Sequence, residues 1–244
     1  MTGKAVVIVS GGMDSTVLTY WARHEGFTVS LVSFDYGQRH KRELIYASLL
    51  AKRLQVPHHI VDLTSITDLL RASDSSLVSD APVPEGHYSA ATMAKTVVPN
   101  RNAIMLSIAY GHAVAIGATK VLTGVHAGDH AVYPDCRPEF ITSLTSALQL
   151  GNEGFGRPEI LAPFVFLTKS DIATYGMILN VPFELTWSCY NGRDKHCGRC
   201  GTCVERLEAL HMAGVEDKTE YEDAEFWKQA VGFPVTGKAV EATQ

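Results

Sequence analysis

The chain has 244 residues, 46% of them hydrophobic and 19% charged, and 26 acidic against 21 basic residues leave a formal net charge of −5. That composition supports a sizeable core in one large domain or a domain with an appendix. The acidic balance argues against a general nucleic-acid binder, and no stretch approaches the ~20 apolar residues of a membrane span.

In chain order, residues 5–9 form a short apolar run that reads as a buried strand, too short for a signal-peptide core. Two glycines follow, then an amphipathic stretch over 16–22. Residues 28–35 are a β-branched run, 42–54 a helix stopped by Val56-Pro57, and 59–63 a third strand. Residues 64–99 carry Ser73-Asp74-Ser75-Ser76 and Ala81-Pro82-Val83-Pro84, which predicts a long active-site loop with at most a short helix. A helix apolar on both faces spans 101–117, which suits burial under a sheet or in a dimer interface. Residues 120–125 read as a fourth strand, and 138–150 as a helix opened by Pro138. The fifth strand, 160–164, contains Pro163, which marks an edge or an end. The helix over 168–179 starts with a Thr168/Asp171 capping-box pattern. This alternation predicts an α/β fold: a parallel, twisted, Rossmann-like sheet with helices on both faces. Ligands bind such sheets at the carboxyl ends of strands, which singles out 10–15, 35–40, 125–135 and 168–171.

Ser10-Gly11-Gly12-Met13-Asp14-Ser15 sits between the first strand and its helix. Glycines there expose N–H groups at the positive end of a helix dipole, a place for phosphate. The Asp14 carboxylate repels an anion unless a cation lies between, so the segment reads as a pyrophosphate site with Mg²⁺. It is neither a Walker A loop nor a Gly-x-Gly-x-x-Gly fingerprint.

The run from Phe34 to Arg42 packs three formal positive charges near a helix start. A bound polyphosphate or a solvated face explains them equally well, and Asp35 and Gln38 are candidates to face adenosine. Asn100 suits an N-cap, Arg101 suits a phosphate or a substrate carboxylate, and Asn102 stands beside it. His126, Asp129, His130 and Asp135 match no familiar metal spacing. Asp129 and Asp135 are better placed to accept paired N–H bonds from a flat heterocycle. Cys136 reads as a small buried hydrophobe. Lys169, at a helix start, is either an ordinary surface lysine or the partner of an anion.

Cys189, Cys197, Cys200 and Cys203 have the spacing C-x₇-C-x₂-C-x₂-C, with glycines after Cys197 and Cys200 that let a knuckle turn N–H groups toward sulfur. Four thiolates suit a closed, structural Zn²⁺ site, with an Fe–S cluster as the rival. Arg193, Lys195, His196, Arg199 and Arg206 are placed to soften its charge or touch substrate. Four clustered cysteines out of five favour a reducing, cytoplasmic setting. The expected division is a nucleotide-binding α/β domain over 1–185 and a small C-terminal zinc-binding segment over 186–244.

The Ser10–Ser15 segment resembles the signature of the PP-loop ATP pyrophosphatases, which cleave ATP to AMP and pyrophosphate. Together with the 34–38 and 99–102 runs, the 124–138 loop and the four cysteines, it resembles the 7-cyano-7-deazaguanine synthase family of queuosine biosynthesis, roughly over residues 4–214. The resemblance implies an ATP-dependent ligase that turns 7-carboxy-7-deazaguanine and ammonia into the nitrile through two adenylations, with Mg²⁺ and one structural Zn²⁺. It places ATP on Val9, Ser10, Gly11, Gly12, Met13, Asp14, Ser15, Thr16, Val17, Leu18 and Thr19, with Asp35 and Gln38. Ser10, Asp14, Ser15, Arg101 and Lys169 become the expected catalytic groups, and Asn102, Asp129 and Asp135 the expected substrate contacts. The implied partners are small molecules and a second copy of the chain, with no stable nucleic acid and no membrane. The rivals are another AMP-forming PP-loop ligase and an RNA-touching zinc-ribbon module, the latter disfavoured by the acidic balance.

Overall fold

The computed structural model describes residues 3–70, 75–79, 81–88 and 91–233. Strands β1 (Lys4–Ile8), β2 (Thr28–Asp35), β3 (His58–Asp62), β4 (Lys120–Leu122) and β5 (Glu159–Leu161) form one parallel sheet in the order β3-β2-β1-β4-β5. Helices α1 (Met13–His24), α2 (Arg42–Leu54), α3 (Thr67–Leu70), α4 (Arg101–Ala115), α5 (Pro138–Gly151), α6 (Lys169–Ile178), α7 (Gly201–Met212) and α8 (Phe226–Ala230) complete the fold.

Strand alternation sorts β1 between two cores. Ala5, Val7 and Val9 face a core with Val17 and Leu18 of α1, Leu50 of α2, Ile172 of α6 and Leu210 of α7. Val6 faces the opposite core with Leu106, Ala109 and Tyr110 of α4 and Ile141 of α5. The sheet is thus covered on both sides, as a parallel sheet requires. Each wholly buried Leu, such as Leu18, Leu106 or Leu122, contributes roughly 1.5–3 kcal/mol of transfer free energy.

The chain leaves β1 toward β2 and β3, then crosses back to β4 and β5. The reversal opens a crevice at the carboxyl ends of β1 and β4, where loops of such sheets bind ligands. β4 ends at Leu122 rather than continuing to Val125, although Thr123 N still donates to Leu161 O at 3.0 Å. The freed Gly124 lies against the start of α1, where an added Cβ would sit 3.4 Å from Ser15 N. β5 is an edge strand that stops before Pro163, as the proline predicts. The capping box of α6 forms, with Asp171 N donating to Thr168 Oγ1 at 3.2 Å and Thr168 N to Asp171 Oδ2 at 2.8 Å.

One expectation changes. Residues 64–99 are not merely a loop: Leu77 and Met93 are wholly buried against Phe34 and Tyr36, so their described parts are a lid of the core. Of the Ser73–Ser76 cluster, Ser73 and Asp74 lie outside the described residues. The apolar helix is α4, and its buried side, Met105, Leu106, Ala109, Tyr110 and Ala113, packs against the sheet. Residues after 185 share the central core through Ala209 and Leu210 of α7, and the tail from 234 lies outside the described residues.

Candidate active site

The Ser10–Ser15 loop is shaped by one glycine above all. Gly11 has φ 95°, and a Cβ there would fall 2.1 Å from the Glu43 carbonyl oxygen of α2. Only glycine fits that left-handed, crowded position. Ser10 and Ser15 then brace the turn: Gly12 N donates to Ser10 Oγ at 3.2 Å, Ser10 N to Ser15 Oγ at 3.3 Å and Ser15 Oγ to Gly12 O at 3.2 Å. Gly12 caps α1 without a side chain, so the first-turn N–H groups have no capping acceptor and face the crevice with the positive end of the helix dipole.

That crevice is a cavity of about 230 Å³ with two unlike halves. The polar half holds Ser10, Gly12, Asp14, Ser15, His126, Asp129 and Lys169. Lys169 Nζ lies 2.7 Å from Asp14 Oδ2 and 3.1 Å from Glu205 Oε2 of α7. Burial alone would push the lysine down, but the Asp14, Glu205 and Asp129 carboxylates hold its pKa above the ordinary value. Burial likewise opposes the ionised Asp14, yet Lys169 and then His126 hold it below the ordinary carboxylate value. Burial does win at Glu205, which is raised. Asp14 Oδ1 and Glu205 Oε2 are buried with no hydrogen bond among the described residues; the latter meets Lys169 in a geometry too bent for one.

The other half is aromatic. Tyr36, Tyr88, Tyr133 and Tyr190 line it with Phe34, Met105, Asn102 and Cys136. The Arg101 guanidinium sits 6.0 Å from the Tyr36 ring centroid and 5.7 Å from that of Tyr133, with no carboxylate partner among the described residues. Burial pushes the Tyr36 phenol up to about 12 and those of Tyr88 and Tyr190 well above their ordinary value, so all three are neutral donors. Burial also raises the Cys136 thiol, which accepts from Asn102 Nδ2 at 3.2 Å and is no nucleophile at neutral pH.

The structure therefore gathers Val9, Ser10, Gly12, Met13, Asp14, Ser15, Arg101, Asn102, Asp129 and Lys169 around one cavity. Other expected residues point elsewhere. Gln38 is buried in its own turn, donating to Phe34 O and Glu43 Oε1 and accepting from Tyr36 N. Asp35 accepts from Gly37 N and pairs with Lys41. Neither lines the cavity. Val17 and Leu18 are core residues, and the Thr16 and Thr19 hydroxyls are bound to carbonyls of their own helix. Gly11 acts by shape, and its carbonyl accepts from Trp187 N at 2.8 Å. Asp135 stands behind the lining, where its Oδ2 accepts from Asn102 N at 3.1 Å and holds the start of α4. The cations of the second loop are spent locally, Arg39 on Ser79 O, Lys41 on Asp35 and Arg42 on Asp194.

The four cysteines do converge. Their Sγ atoms lie within 4.8 Å of one another and all four residues are buried. Cys197 and Cys203 Sγ are 3.9 Å apart, close to the ~3.8 Å edge of a tetrahedron with metal–sulfur bonds of ~2.3 Å. Backbone N–H groups of Cys197, Arg199 and Cys200 aim at sulfur from 3.4, 3.4 and 3.3 Å. The donor set fits a tetrahedral, thiolate-held metal with no open position. The basic residues nearby pair with carboxylates: Arg193 with Glu222, Lys195 with Glu220, Arg199 with Glu85 and Asp223, and Arg206 with Asp217. His196 is neutral, lowered by burial to about 3, and accepts from Ser188 N at 3.0 Å.

Sequence reasoning missed Glu205, Tyr88, Tyr190, Trp187 and Ser188. Three of these signals were present: Glu205 follows Cys203 by two positions, Ser188 precedes Cys189 and Tyr190 follows it. Whatever pins the sulfurs also pins Ser188 and Tyr190 at the cavity and Glu205 beside Lys169.

The family model for the queuosine biosynthesis protein QueC matches residues 4–214. The chain is 51% identical over 228 residues to the 7-cyano-7-deazaguanine synthase of Paracoccus denitrificans, covering 93% of this chain and 97% of that one. It is 53% identical over 225 residues to the synthase of Brucella ovis, covering 92% and 96%. Among solved structures, an NMN synthetase from Francisella tularensis aligns with a TM-score of 0.49 at 16% identity, over 98% of this chain and 90% of that one. A parallel α/β sheet with a Ser-Gly-Gly-x-Asp-Ser loop at its switch point, a tetracysteine cluster behind it and this degree of identity have one reading: the chain belongs to the QueC family of 7-cyano-7-deazaguanine synthases.

Proposed function

We propose that this chain converts 7-carboxy-7-deazaguanine and ammonia to 7-cyano-7-deazaguanine, splitting ATP to AMP and pyrophosphate. The observation that carries this reading is the two-sided cavity: phosphate-binding backbone donors, Asp14 and Lys169 on one side, aromatic walls and Arg101 on the other. A carboxylate resists ammonia because oxide is a poor leaving group. Its attack on the α-phosphorus of ATP expels pyrophosphate onto the Gly12–Ser15 N–H groups and leaves AMP on the acid. Ammonia displaces AMP to give the amide. The amide oxygen attacks a second ATP, and loss of AMP and a proton leaves the nitrile. One site that activates oxygen twice runs both halves. The chain's part is to orient the reactants and stabilise departing phosphate, so no protein nucleophile is required.

Within this reading Lys169 neutralises charge at the phosphates and Arg101 meets the substrate carboxylate or the α-phosphate. The tyrosine walls sandwich the flat ring, Asp129 accepts from its amine edge and Asn102 contacts its rim. Asp14 Oδ1, buried and without a hydrogen bond, suits Mg²⁺, which when bound neutralises pyrophosphate. The four thiolates suit one structural Zn²⁺, which would tie residues 186–233 to the nucleotide-binding part over 1–185. Exposed Leu150, Phe155 and Phe166 support a homodimer. The clustering of four of the five cysteines and the acidic balance support a cytoplasmic enzyme without a stable nucleic-acid partner; among the described residues no helix is long and apolar enough to cross a membrane.

The test is incubation with ATP, Mg²⁺, ammonium and 7-carboxy-7-deazaguanine, read by mass spectrometry for amide and nitrile. Neither product, with pyrophosphate released instead on another acid, would make the chain a different AMP-forming ligase. Elemental analysis should find one zinc per chain and no iron. Cys200→Ser should lose that zinc and loosen the C-terminal part; a folded, zinc-loaded variant would refute the ligand set.

A further inference from the structure

Two histidines line the cavity, and they are held differently. His126 uses both ring nitrogens: Nδ1 accepts from Gly128 N at 3.1 Å, and Nε2 lies 3.7 Å from Asp129 Oδ1. His40 is 3% exposed. Its Nε2 lies 3.4 Å from Glu43 Oε2, while its Nδ1 is buried without a hydrogen bond among the described residues. A buried polar atom is rarely left so, and each asks for an explanation. The rest of the pair is fixed. Glu43 Oε1 accepts from Gln38 Nε2 at 3.2 Å, Glu43 N donates to His40 O at 3.1 Å, and the imidazole lies 5.1 Å from the Tyr190 ring, centroid to centroid. The Glu43 carbonyl is the group that crowds Gly11 of the phosphate-binding loop, and Tyr190 is a wall of the aromatic half. His40 therefore stands where the two halves of the cavity meet.

We propose that His40, oriented by Glu43, is the base that takes the last nitrogen-bound proton as AMP leaves and the nitrile forms. This rests on the reading that one site adenylates first the acid and then the amide. With the flat ring between tyrosines and the phosphates on the Gly12–Ser15 N–H groups, the bonds that break lie at the seam between the halves, beside His40. A carboxylate facing Nε2 places the ring proton there and leaves the Nδ1 lone pair free. The steps balance. The amide oxygen bonds to the α-phosphorus and pyrophosphate departs with its electron pair, which leaves two protons and a positive charge on nitrogen. One proton passes to pyrophosphate. The other stays on a neutral imidate nitrogen that does not shed it unaided. The imidazole takes it, the N–H electron pair becomes the third carbon–nitrogen bond, and the C–O bond breaks with its pair on AMP. The imidazolium, paired with Glu43, returns its proton to water as the products leave. Amide formation makes a weaker demand, because the nitrogen there carries a positive charge and sheds its proton readily. Other acceptors around the cavity are engaged: Asp14 faces Lys169, and Asp129 accepts from Tyr88 OH and the His126 backbone N–H.

The test separates the two halves of the reaction on the full-length, zinc-loaded enzyme. It supplies either the acid with ammonium or the preformed amide, each with ATP and Mg²⁺. In His40→Gln, nitrile formation from the amide should fall on the order of 100-fold more than amide formation from the acid, so that mass spectrometry finds the amide accumulating. Glu43→Gln, which leaves the base in place but loosens its orientation, should show the same bias at about tenfold. In His40→Gly, added imidazole should restore nitrile formation about tenfold or more without a matching gain in amide formation, a rescue that a merely structural histidine does not allow. Equal loss in both halves would make His40 a packing residue and overturn the proposal. So would an accumulating amide that imidazole does not relieve. A parent enzyme that makes neither amide nor nitrile from the acid fails the function reading instead. A parent that makes both, with a His40→Gln variant that matches it, fails this proposal alone.

Discussion

Two ion-paired clusters in this molecule are built to opposite rules. Arg206, wholly buried, gives every arm of its guanidinium a partner: Asp217 Oδ2 at 2.9 Å and Oδ1 at 3.1 Å, Thr219 Oγ1 at 2.9 Å, the Phe183 carbonyl at 2.8 Å, and the Thr186 and Ser188 hydroxyls. Asp217 in turn accepts from Tyr221 OH at 2.6 Å and from Thr219 N at 3.1 Å. Lys169 is only half-buried, and it faces Asp14 and Glu205 together, while each acid keeps a buried oxygen without a hydrogen bond among the described residues. A saturated network fixes one geometry and holds the C-terminal segment to the chain before it. An unsaturated one, with more anion than cation, is a place kept ready for charge that arrives with a ligand. Under the proposed function, the difference separates a structural ion pair from a working one without reference to either residue's neighbours in sequence.

The sharpest way to break the comparison is to neutralise one acid in each. Asp14→Asn should lower AMP formation on the order of 1,000-fold, about 4 kcal/mol of transition-state stabilisation, measured as pyrophosphate release with the acid substrate present. Its stability should change by no more than about 1 kcal/mol, because the remaining Glu205 still pairs Lys169 and one buried like-charge repulsion is gone. Asp217→Asn should behave in reverse. It strands the Arg206 charge and should cost about 3–5 kcal/mol in chemical denaturation, while protein that remains folded keeps its turnover. An Asp14→Asn enzyme that unfolds, or a stable Asp217→Asn protein, would erase the distinction.

Acid sharpens it further. Burial works to raise the Asp217 carboxyl, but Arg206 outweighs burial and holds it well below the ordinary value of 3.8. A carboxyl depressed in the fold contributes stability above its unfolded-state pKa and loses it as pH falls through the folded value. The parent protein should therefore shed this contribution below about pH 4, and Asp217→Asn, with nothing to titrate there, should show a shallower acid limb in denaturation midpoints. An acid limb of equal steepness in both proteins would locate the sensitivity elsewhere.

What was legible in the sequence follows the same divide. Strands, helices, the edge position of β5 and the capping box at Thr168 are local matters, settled by periodicity, Pro163 and a four-residue pattern. The Ser10–Ser15 loop was legible because glycine at position 11 and an acid at 14 carry their reason with them. The cysteine spacing announced its own convergence. Glu205 was not legible, because a glutamate on a helix facing Lys169 looks like any surface acid until α6 and α7 are packed together. Arg206 misled for the same reason: beside the cysteines in sequence, its charge is claimed by Asp217, eleven residues on. Long-range pairing of charges is decided by packing, which composition and spacing do not encode.

The smallest predicted effect tests the expectation that Asp35 faces the nucleotide. Asp35 stands at the end of β2, where strand ends in such sheets meet ligands, and its loop carries three cations. In the fold its two oxygens are turned back on the loop itself, one accepting from Gly37 N at 3.0 Å and the other pairing with an exposed Lys41 at 2.8 Å. Exposed pairs of this kind contribute about 0–1 kcal/mol, so Asp35→Ala should cost no more than about 1 kcal/mol plus a small loss from the turn. Because no Asp35 atom lines the cavity, the KM for ATP should stay within about twofold of the parent, the change expected of a site left untouched. A KM raised tenfold with unchanged denaturation would mean that the loop opens and Asp35 swings onto the nucleotide. The working half of the molecule would then extend beyond the groups that the Lys169 cluster gathers.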